Sequence, residues 1–255
     1  MILVLDIGNT NIVVGCLDKT KTYFVSRLAT DRNKTEDEYA IQLKNILELY
    51  NVTPSEIEGS ILSSVVPPIT HAIKSATTKL IKKAPLVVGP GIKTGLNIMI
   101  DNPAQLGSDL VVDAVAAIEE YPLPLTIIDM GTATTVSVLN EQGHYLGGMI
   151  MPGVKVSQEA LTSRTSQLPS IALDAPSRVI GRNTIDCMKS GQVYGNAAMI
   201  DGMIERINAE LGAKTTVIAT GGLSKSIIPH CKETIIYDDH LLLKGLRHLY
   251  YKNVK

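Results

Sequence analysis

The chain has 255 residues, enough for one large domain or two modest ones. Its 24 Lys and Arg residues nearly balance its 25 Asp and Glu residues, and no basic stripe is present. This charge distribution argues against a nucleic-acid partner. The apolar start lacks a basic leader and is interrupted by Asp6, and no run reaches about 18 apolar residues, so we expect neither a signal peptide nor a membrane span. Three widely separated cysteines predict buried thiols in a reducing compartment and hence a cytoplasmic protein.

The first part of the chain is typical of three strands followed by alternating helices and strands. Runs rich in β-branched residues predict strands over residues 2–6, 11–18 and 22–29. Thr35 and Glu38 have the spacing of a capping box, and apolar residues at helical spacing predict a helix over 35–50. Further elements are predicted in this half: a strand over 59–67, a helix over 69–83 and a short strand over 86–88.

After a predicted helix over 101–120, the same pattern restarts. The predicted elements are strands over 124–130, 134–140 and 145–152, helices over 153–165 and 183–211, a strand over 215–222 and a helix over 240–251. The order β-β-β-α-β-α thus occurs twice, with Asp6 and Asp129 at equivalent positions at the end of the first strand of each copy. We predict an α/β fold of two similar lobes, residues 1–117 and 118–255, with a cleft between them.

Small polar residues follow each of these two acids, in turns at 8–11 and 131–135. Such turns bind phosphate well because backbone N–H groups and hydroxyls are exposed and no bulky Cβ blocks approach. An acid at the preceding strand end would repel a bare phosphate, so it indicates that a cation lies between them. Together the turns could hold a nucleotide polyphosphate with its metal; the alternative is two ordinary hairpins. A third glycine turn, 219–224, suits either packing against an adenosine or a tight β–α connection.

Two further candidates lie at predicted helix starts. Asn102 or Ser108 could cap the central helix, and either choice places Asp109 near its N-terminus, where the helix dipole favours the ionised carboxylate. That carboxylate could orient a substrate hydroxyl and accept its proton, or it could simply satisfy helix N–H groups. Thr184, or Asn183 beside it, can cap the long helix and could bind a carboxylate or hydroxyl ligand, or serve only as a cap.

Five motifs extend over almost the whole chain: DIGNTN, NPAQLGSD, DMGTATT, GGMIMPG and ATGGLS. Their order and spacing resemble those of type III pantothenate kinases, members of the ATPase/sugar-kinase/Hsp70/actin superfamily with duplicated ribonuclease H-like lobes. The resemblance implies ATP-dependent phosphorylation of pantothenate to 4'-phosphopantothenate, the first step of coenzyme A biosynthesis. It also implies Mg²⁺, a monovalent cation (K⁺ or NH₄⁺) and a homodimer whose vitamin pocket lies near the interface.

The same resemblance implies roles for individual residues. Asp109 would be the general base acting on pantothenate, Asp129 the ligand of the monovalent cation, and Thr132 a nucleotide contact. The implied first phosphate loop consists of Asp6, Ile7, Gly8, Asn9, Thr10, Asn11, Ile12 and Val13, mainly through backbone groups. The implied substrate contacts are Gly107, Ser108, Asp109, Leu110 and Thr184.

The sequence departs from the family pattern on the side that would recognise the acid group of the substrate. Members of the family usually have arginine directly after Asp109, whereas this chain has Leu110, which cannot pair with a carboxylate. Ile100 also stands where an aromatic residue often precedes the Asn-Pro turn. Another cation could replace the arginine, from this subunit or a partner: Arg164, Arg178 or Arg182. Alternatively, the pocket accepts a different hydroxylated acid or amide, or the chain is a weakened, kinase-like regulator that binds nucleotide or metabolite in the same cleft.

Overall fold

The computed structural model describes residues 1–254, and contacts within it divide the chain into two compact units. The first unit comprises Met1–Leu96, Asn102–Ala116 and the C-terminal residues from Leu241, and the second comprises Asn97–Asp101 and Ala117–His240. Among the described residues, no helix has both the length and the apolar character that crossing a bilayer requires.

The first unit is built on a five-stranded sheet with its first strand at the centre. The strands are β1 (Ile2–Ile7), β2 (Asn11–Leu17), β3 (Thr22–Ala29), β4 (Gly59–Ser64) and β5 (Leu86–Val87). Their order is β3-β2-β1-β4-β5, and β1 pairs antiparallel with β2 and parallel with β4. Residues 2–5 are fully buried, so β1 presents apolar side chains to both faces of the sheet.

Two helices cover one face of this sheet, and they pack their apolar side chains against the apolar side chains of that face. The helices of this part of the chain are α1 (Glu36–Leu49), α2 (Pro67–Ile81) and α3 (Ser108–Glu120). The predicted capping box at Thr35 and Glu38 is confirmed and starts α1. Leu3 and Leu5 of β1 form one core with Leu43 of α1 and Ile69 and Ile73 of α2, while α3 contributes to the core on the other face.

The second unit repeats the same sheet. Its strands are β6 (Leu125–Met130), β7 (Ala133–Leu139), β8 (Tyr145–Pro152), β9 (Thr216–Thr220) and β10 (Ile235–Tyr237). Read from the other edge, their order is β8-β7-β6-β9-β10, which is the order of the first sheet, with the same antiparallel and parallel pairings. The predicted α/β duplication is therefore confirmed. The short strand β10 was missing from the prediction, although it matches β5 in the first copy.

Three helices belong to the second unit: α4 (Val154–Ser163), α5 (Thr184–Leu211) and α6 (Ser224–Ile227). The long helix α5 packs through Val193, Ile200 and Ile204 into the core that also contains Ile128 and Met130 of β6. This packing fixes α5 from Val193 onward relative to the sheet, and Thr184 lies nine residues before that point.

The final helix, α7 (Leu241–Asn253), packs on the first unit rather than the second. Leu243, Leu246 and Leu249 lie in one core with Ile2 and Val4, on the sheet face that α1 and α2 leave uncovered. The division by contacts therefore differs from the predicted boundaries, which assigned the whole of 118–255 to the second lobe. The physical reason is that β1 is apolar on both faces, and each face needs a covering layer.

Candidate active site

The first candidate turn joins β1 to β2. Asp6 is the one half-buried residue between buried neighbours at the end of β1. The Gly8 N–H donates to the Asn11 carbonyl at 3.0 Å, and the Thr30 hydroxyl donates to the Gly8 carbonyl at 2.6 Å. Residues 9–11 are exposed. The turn is thus held by its backbone while its small polar side chains face solvent.

The apolar members of the implied loop are placed differently from its polar members. Ile7 and Ile12 are buried and pair with each other across the two strands, and Val13 is half-buried opposite Asp6. The Ile7 and Ile12 side chains belong to the core, so they could meet a ligand only through their backbone groups.

The second candidate turn joins β6 to β7 and repeats the first. Asp129 is half-buried between buried neighbours, with the same burial pattern along β6 as along β1. The Gly131 N–H donates to the Ala133 carbonyl at 3.0 Å, and the Thr132 carbonyl accepts from the Gly153 N–H at 3.1 Å. Thr132 is exposed. Each sheet therefore carries one acid and one small polar turn at the end of its central strand.

The third glycine turn lies directly against the second. Gly221, which follows β9, has φ +88°, in the left-handed region. A Cβ there would collide with the Asp129 carboxylate and with the Met130 carbonyl. The turn after β9 therefore needs glycine twice, for its backbone conformation and for close approach to Asp129.

Hydrogen bonds fix the start of α3 beside the first turn. Ser63 of β4 lies next to Asp6 of β1 in the parallel register. The buried Ser63 hydroxyl is 2.9 Å from the Ser108 hydroxyl, and Ser108 also donates to the Ser64 carbonyl at 3.1 Å. Asp109 is the next residue, so the structure brings Asp6 and Asp109 to the same end of the first sheet.

The start of α3 differs from both caps considered for it. Asn102 caps a separate 3₁₀ turn, Pro103–Gln105, by accepting from the Ala104 N–H at 3.3 Å. Ser108 is the first residue of the helix rather than its cap, because its hydroxyl is bonded to β4. Gly107 precedes the helix, and a Cβ there would collide with Asp109 Oδ1. Gly107 thus leaves room for the carboxylate.

Burial shifts the protonation of Asp109 in the direction opposite to our prediction. Desolvation raises the pKa of the Asp109 carboxyl, and the Leu110 N–H, which donates to Asp109 Oδ1 at 2.9 Å, only partly opposes this. The prediction considered the helix dipole alone and left out this effect of burial. A raised pKa makes the ionised group a better proton acceptor.

Thr184 lies beside a cavity of about 690 Å³ in the second unit. Asn183 is the cap of α5, since its Oδ1 accepts from the Asp186 N–H at 2.9 Å. Thr184 is the exposed first residue of the helix. Arg182 and Gln192 are among the other residues that line the cavity.

Comparison with known proteins identifies the family. The sequence model of the family described as type III pantothenate kinase matches residues 2–206. A type III pantothenate kinase from Bacillus cytotoxicus is 48% identical over 253 residues, which cover 99% of this chain and 97% of that protein. The chain belongs to the type III pantothenate kinase family.

Solved structures share the fold of this pantothenate kinase family member at low sequence identity. One is described as a putative Baf family transcriptional activator from Campylobacter jejuni, with a TM-score of 0.60, 20% identity, and coverage of 99% of this chain and 98% of that one. Another is the activator of 2-hydroxyisocaproyl-CoA dehydratase from Clostridium difficile with bound ADPNP, with a TM-score of 0.54, 16% identity, and coverage of 100% and 98%. These likenesses concern the fold alone.

Two residues that no sequence pattern singled out lie beside the candidates. Ser63 fixes the helix that carries Asp109. The sequence feature that could have identified it is a pair of serines at the end of a buried strand. Gln192 lines the cavity beside Thr184. The sequence feature that could have identified it is its position eight residues after Thr184, which places both on the same side of the helix.

Proposed function

We propose that the chain transfers the γ-phosphoryl group of ATP to the primary hydroxyl of pantothenate, giving 4'-phosphopantothenate and ADP, the first step of coenzyme A biosynthesis. Membership of the type III pantothenate kinase family supports the reaction. The single observation that carries the residue assignments is the Ser63–Ser108 hydrogen bond, which holds Asp109 at the same sheet end as Asp6.

In this proposal, the loop from Asp6 to Val13 binds phosphate through its backbone N–H groups, and Thr132 contacts the nucleotide. The exposed turn at 9–11 supports this assignment, because phosphate oxygens can approach its amides without meeting bulky side chains. The two hydrogen bonds that fix the Gly8 backbone also support this assignment, because a preformed turn needs no reordering when phosphate binds.

Asp109 orients the acceptor hydroxyl and receives its proton as the oxygen attacks the γ-phosphorus. The bond from phosphorus to the bridging oxygen breaks, and ADP leaves with that electron pair. Because the transition state of phosphoryl transfer is loose, positioning the hydroxyl contributes more than the strength of the base. The half-buried carboxylate with its raised pKa is suited to both tasks.

A kinase of this family requires a divalent metal, and the residues fit Mg²⁺ brought in with the nucleotide. Within residues 1–254, no group of three or more His, Cys, Asp or Glu side chains is arranged to hold a metal ion. Mg²⁺ typically uses one or two carboxylates and takes its other ligands from substrate phosphates and water. Asp6, half-buried at the phosphate turn, supplies such a carboxylate. When bound, Mg²⁺ neutralises phosphate charge.

A monovalent cation, K⁺ or NH₄⁺, is assigned to Asp129. The half-buried carboxylate at the second turn supports this assignment, because an acid beside phosphates needs a positive charge nearby. The close packing of Gly221 against that carboxylate fixes its position. Such a cation would offset phosphate charge during transfer.

The test is an ADP-release assay on the full chain with and without pantothenate. ADP is expected only when pantothenate and Mg²⁺ are both present, and K⁺ or NH₄⁺ is expected to raise the rate at least about tenfold over Na⁺. ADP or phosphate release without pantothenate would instead indicate an ATPase or phosphatase of the same fold. Equal rates in K⁺ and Na⁺ would contradict the cation assigned to Asp129 while leaving the kinase assignment intact.

A second candidate function, a kinase-like regulator, is favoured by one observation. Leu110 stands at the position where an arginine would pair with the substrate carboxylate. Such a regulator would bind nucleotide or metabolite but release no ADP under any cation condition. The same assay, together with a nucleotide-binding measurement, therefore separates the two functions.

A homodimer belongs to the proposal and is supported by apolar residues that are exposed in the second unit. Ile150, Val179, Ile180 and Ile185 are large apolar residues that are exposed there. Gly191 and Gly195 of α5 are exposed as well, and a Cβ at either would meet nothing within 4 Å, so another helix could approach closely. Sedimentation is expected to give twice the 27.4 kDa chain mass; a monomer at micromolar concentration would refute the dimer.

A cytoplasmic location is the remaining part of the proposal. All three cysteines, Cys16, Cys187 and Cys231, are free thiols, which supports a reducing compartment. When cells that make the protein are fractionated, the pantothenate-dependent release of ADP is expected in the cytoplasmic fraction.

A further inference from the structure

Thr30 contacts both sides of the first candidate turn. It follows the last residue of β3, Ala29, and is half-buried. Its backbone N–H donates to the Thr10 carbonyl at 3.0 Å, and its hydroxyl donates to the Gly8 carbonyl at 2.6 Å. Because these two carbonyls flank Asn9, one residue holds the turn on both sides of its exposed tip.

The bond from the Thr30 hydroxyl also determines which way the first peptide group of the turn points. Carbonyl oxygens carry partial negative charge and repel a phosphate, whereas backbone N–H groups attract it. The Gly8 carbonyl points to Thr30, and in a trans peptide the N–H of the next residue points the opposite way. The Asn9 N–H is therefore directed away from Thr30, in a residue that is exposed. Thr30 thus orients the turn for an anion.

The segment that carries Thr30 is itself fixed to the core of the first unit. The next residue, Asp31, donates its backbone N–H to the Tyr39 hydroxyl at 3.3 Å, and that hydroxyl donates to the Asp31 carbonyl at 2.6 Å. Tyr39 belongs to α1 and is 1% exposed in the core that contains Leu3 and Leu5. Thr30 therefore links the turn to a rigid part of the unit.

The second turn shows that the fold does not require this hydroxyl. Gly153 takes the place of Thr30, since it follows β8 and its N–H donates to the Thr132 carbonyl at 3.1 Å. It has no side chain, and a Cβ there would collide with the carbonyls of the second turn. Three residues, 8–10, separate β1 from β2, whereas two, 131–132, separate β6 from β7. The longer turn with the hydroxyl contact is thus a feature of the first copy that a hairpin of this fold does not need.

We propose that Thr30 is a positioning residue that holds the first turn ready for the phosphate groups of a nucleoside polyphosphate. The turn contacts the phosphates through its backbone, and Thr30 acts on them only through the turn. This inference rests on the proposed function, in which the turn binds the phosphates of ATP. Without the hydroxyl, the turn gains conformational freedom that is lost again on binding, so the affinity for the nucleotide falls.

The first test is a titration of MgATP into the full-length Thr30→Val variant, together with its steady-state kinetics. Valine keeps the branched shape of threonine and its backbone N–H but removes the hydroxyl that donates to the Gly8 carbonyl. The Kd and KM for ATP are expected to rise about tenfold, while KM for pantothenate stays within about twofold of wild type. Thr30→Ala, which removes the same hydroxyl with a smaller side chain, is expected to show the same loss.

Two controls separate this role from a general loss of stability. Thr30→Ser keeps a hydroxyl at the same position and is expected to bind MgATP within about twofold of wild type. Thr77→Val removes the hydroxyl of a buried threonine that donates to the Ile73 carbonyl at 2.8 Å, within α2 of the same unit. It is expected to lower the thermal midpoint without changing the Kd for ATP. Equal losses of ATP affinity in Thr30→Val and Thr77→Val, or weak binding by Thr30→Ser, would overturn the inference.

Failure of this inference differs from failure of the proposed function. A wild-type chain that binds no MgATP would overturn both. A wild-type chain that binds MgATP but releases no ADP when pantothenate is added would overturn the proposed function, and the titration would still decide the role of Thr30. A wild-type kinase whose Thr30→Val variant binds MgATP with an unchanged Kd would overturn this inference alone.

Discussion

Replacing Asp109 with asparagine is expected to lower kcat about a thousandfold while leaving ATP affinity close to that of the wild type. The amide cannot accept the proton of the acceptor hydroxyl, but its oxygen can still accept the Leu110 N–H bond that Asp109 Oδ1 makes at 2.9 Å. The start of α3 should therefore keep its geometry. Steady-state ADP release and a nucleotide-binding titration measure the two effects separately.

The same substitution is expected to raise the thermal midpoint at neutral pH. Burial raises the pKa of Asp109 in the folded chain, so the neutral form favours folding at low pH and this advantage is lost as the pH rises through the folded-state pKa. Asparagine is neutral at every pH and avoids that loss. The difference in midpoint between variant and wild type should therefore shrink as the solution is acidified. A loss of activity accompanied by a gain in stability is expected when burial of a catalytic carboxylate costs stability.

The pH dependence of the wild-type enzyme follows from the same direction of shift. The base acts only when ionised, so kcat/KM should fall on acidification, and the fall should begin at a higher pH than an ordinary aspartate would give. Glu119→Gln is the matched control, since it removes an exposed carboxylate near the opposite end of the same helix. If Asp109→Asn turns over at the wild-type rate, Asp109 is not the base.

The duplication could be predicted from sequence because its signals are local and repeated. Each central strand is a short apolar run that ends in an acid and a small polar turn, and the structure gives β1 and β6 the same burial pattern. β10 could not be predicted in the same way. It has three residues, too few for an alternating pattern, and it pairs only at the edge with β9.

The start of α3 shows where local signals fail. Asn102 followed by Pro103 is a strong helix-start pattern, yet it initiates only a 3₁₀ turn. The helix begins at Ser108, whose hydroxyl bonds to Ser63 and Ser64 from a strand more than forty residues earlier. A contact between residues so far apart in sequence produces no local sequence pattern. Rules based on residue spacing therefore could not locate the start of α3.

The placement of α7 and the protonation of Asp109 depend on tertiary packing in the same way. An amphipathic pattern predicts that α7 buries one face, but the sheet that receives Leu243 and Leu246 is specified only by the uncovered face of β1. The helix dipole near Asp109 is visible in sequence, whereas the burial that raises its pKa is not. Gln192 belongs with these cases, since only the cavity distinguishes it from an ordinary polar residue of a helix.

Replacing Gly221 with alanine is expected to lower kcat/KM about a hundredfold and to remove the advantage of K⁺ over Na⁺. The new Cβ would meet the Asp129 carboxylate and the Met130 carbonyl, so either the turn after β9 or the carboxylate must move. A displacement of about 1 Å in a group that positions charge can cost a factor of about a hundred in rate. ADP release in K⁺ and in Na⁺ measures both effects.

Gly212→Ala is the matched control because it shares the backbone cost without the collision. Gly212 and Gly221 both have left-handed φ values, +66° and +88°. A Cβ at Gly212 would meet nothing within 4 Å, so alanine there should cost only about 1–2 kcal/mol of stability through its backbone conformation. The control should therefore lose a few degrees in thermal midpoint and keep its turnover and its response to K⁺.

The comparison of these two variants isolates the role of Asp129 from the general cost of replacing a left-handed glycine. Overpacking should add about 1–3 kcal/mol to the destabilisation at Gly221, so that variant should melt below the control. Its activity is to be measured well below the melting temperature, where both variants are folded. If folded Gly221→Ala keeps wild-type turnover and K⁺ response, the geometry of Asp129 does not govern catalysis, and the cation belongs elsewhere in the protein.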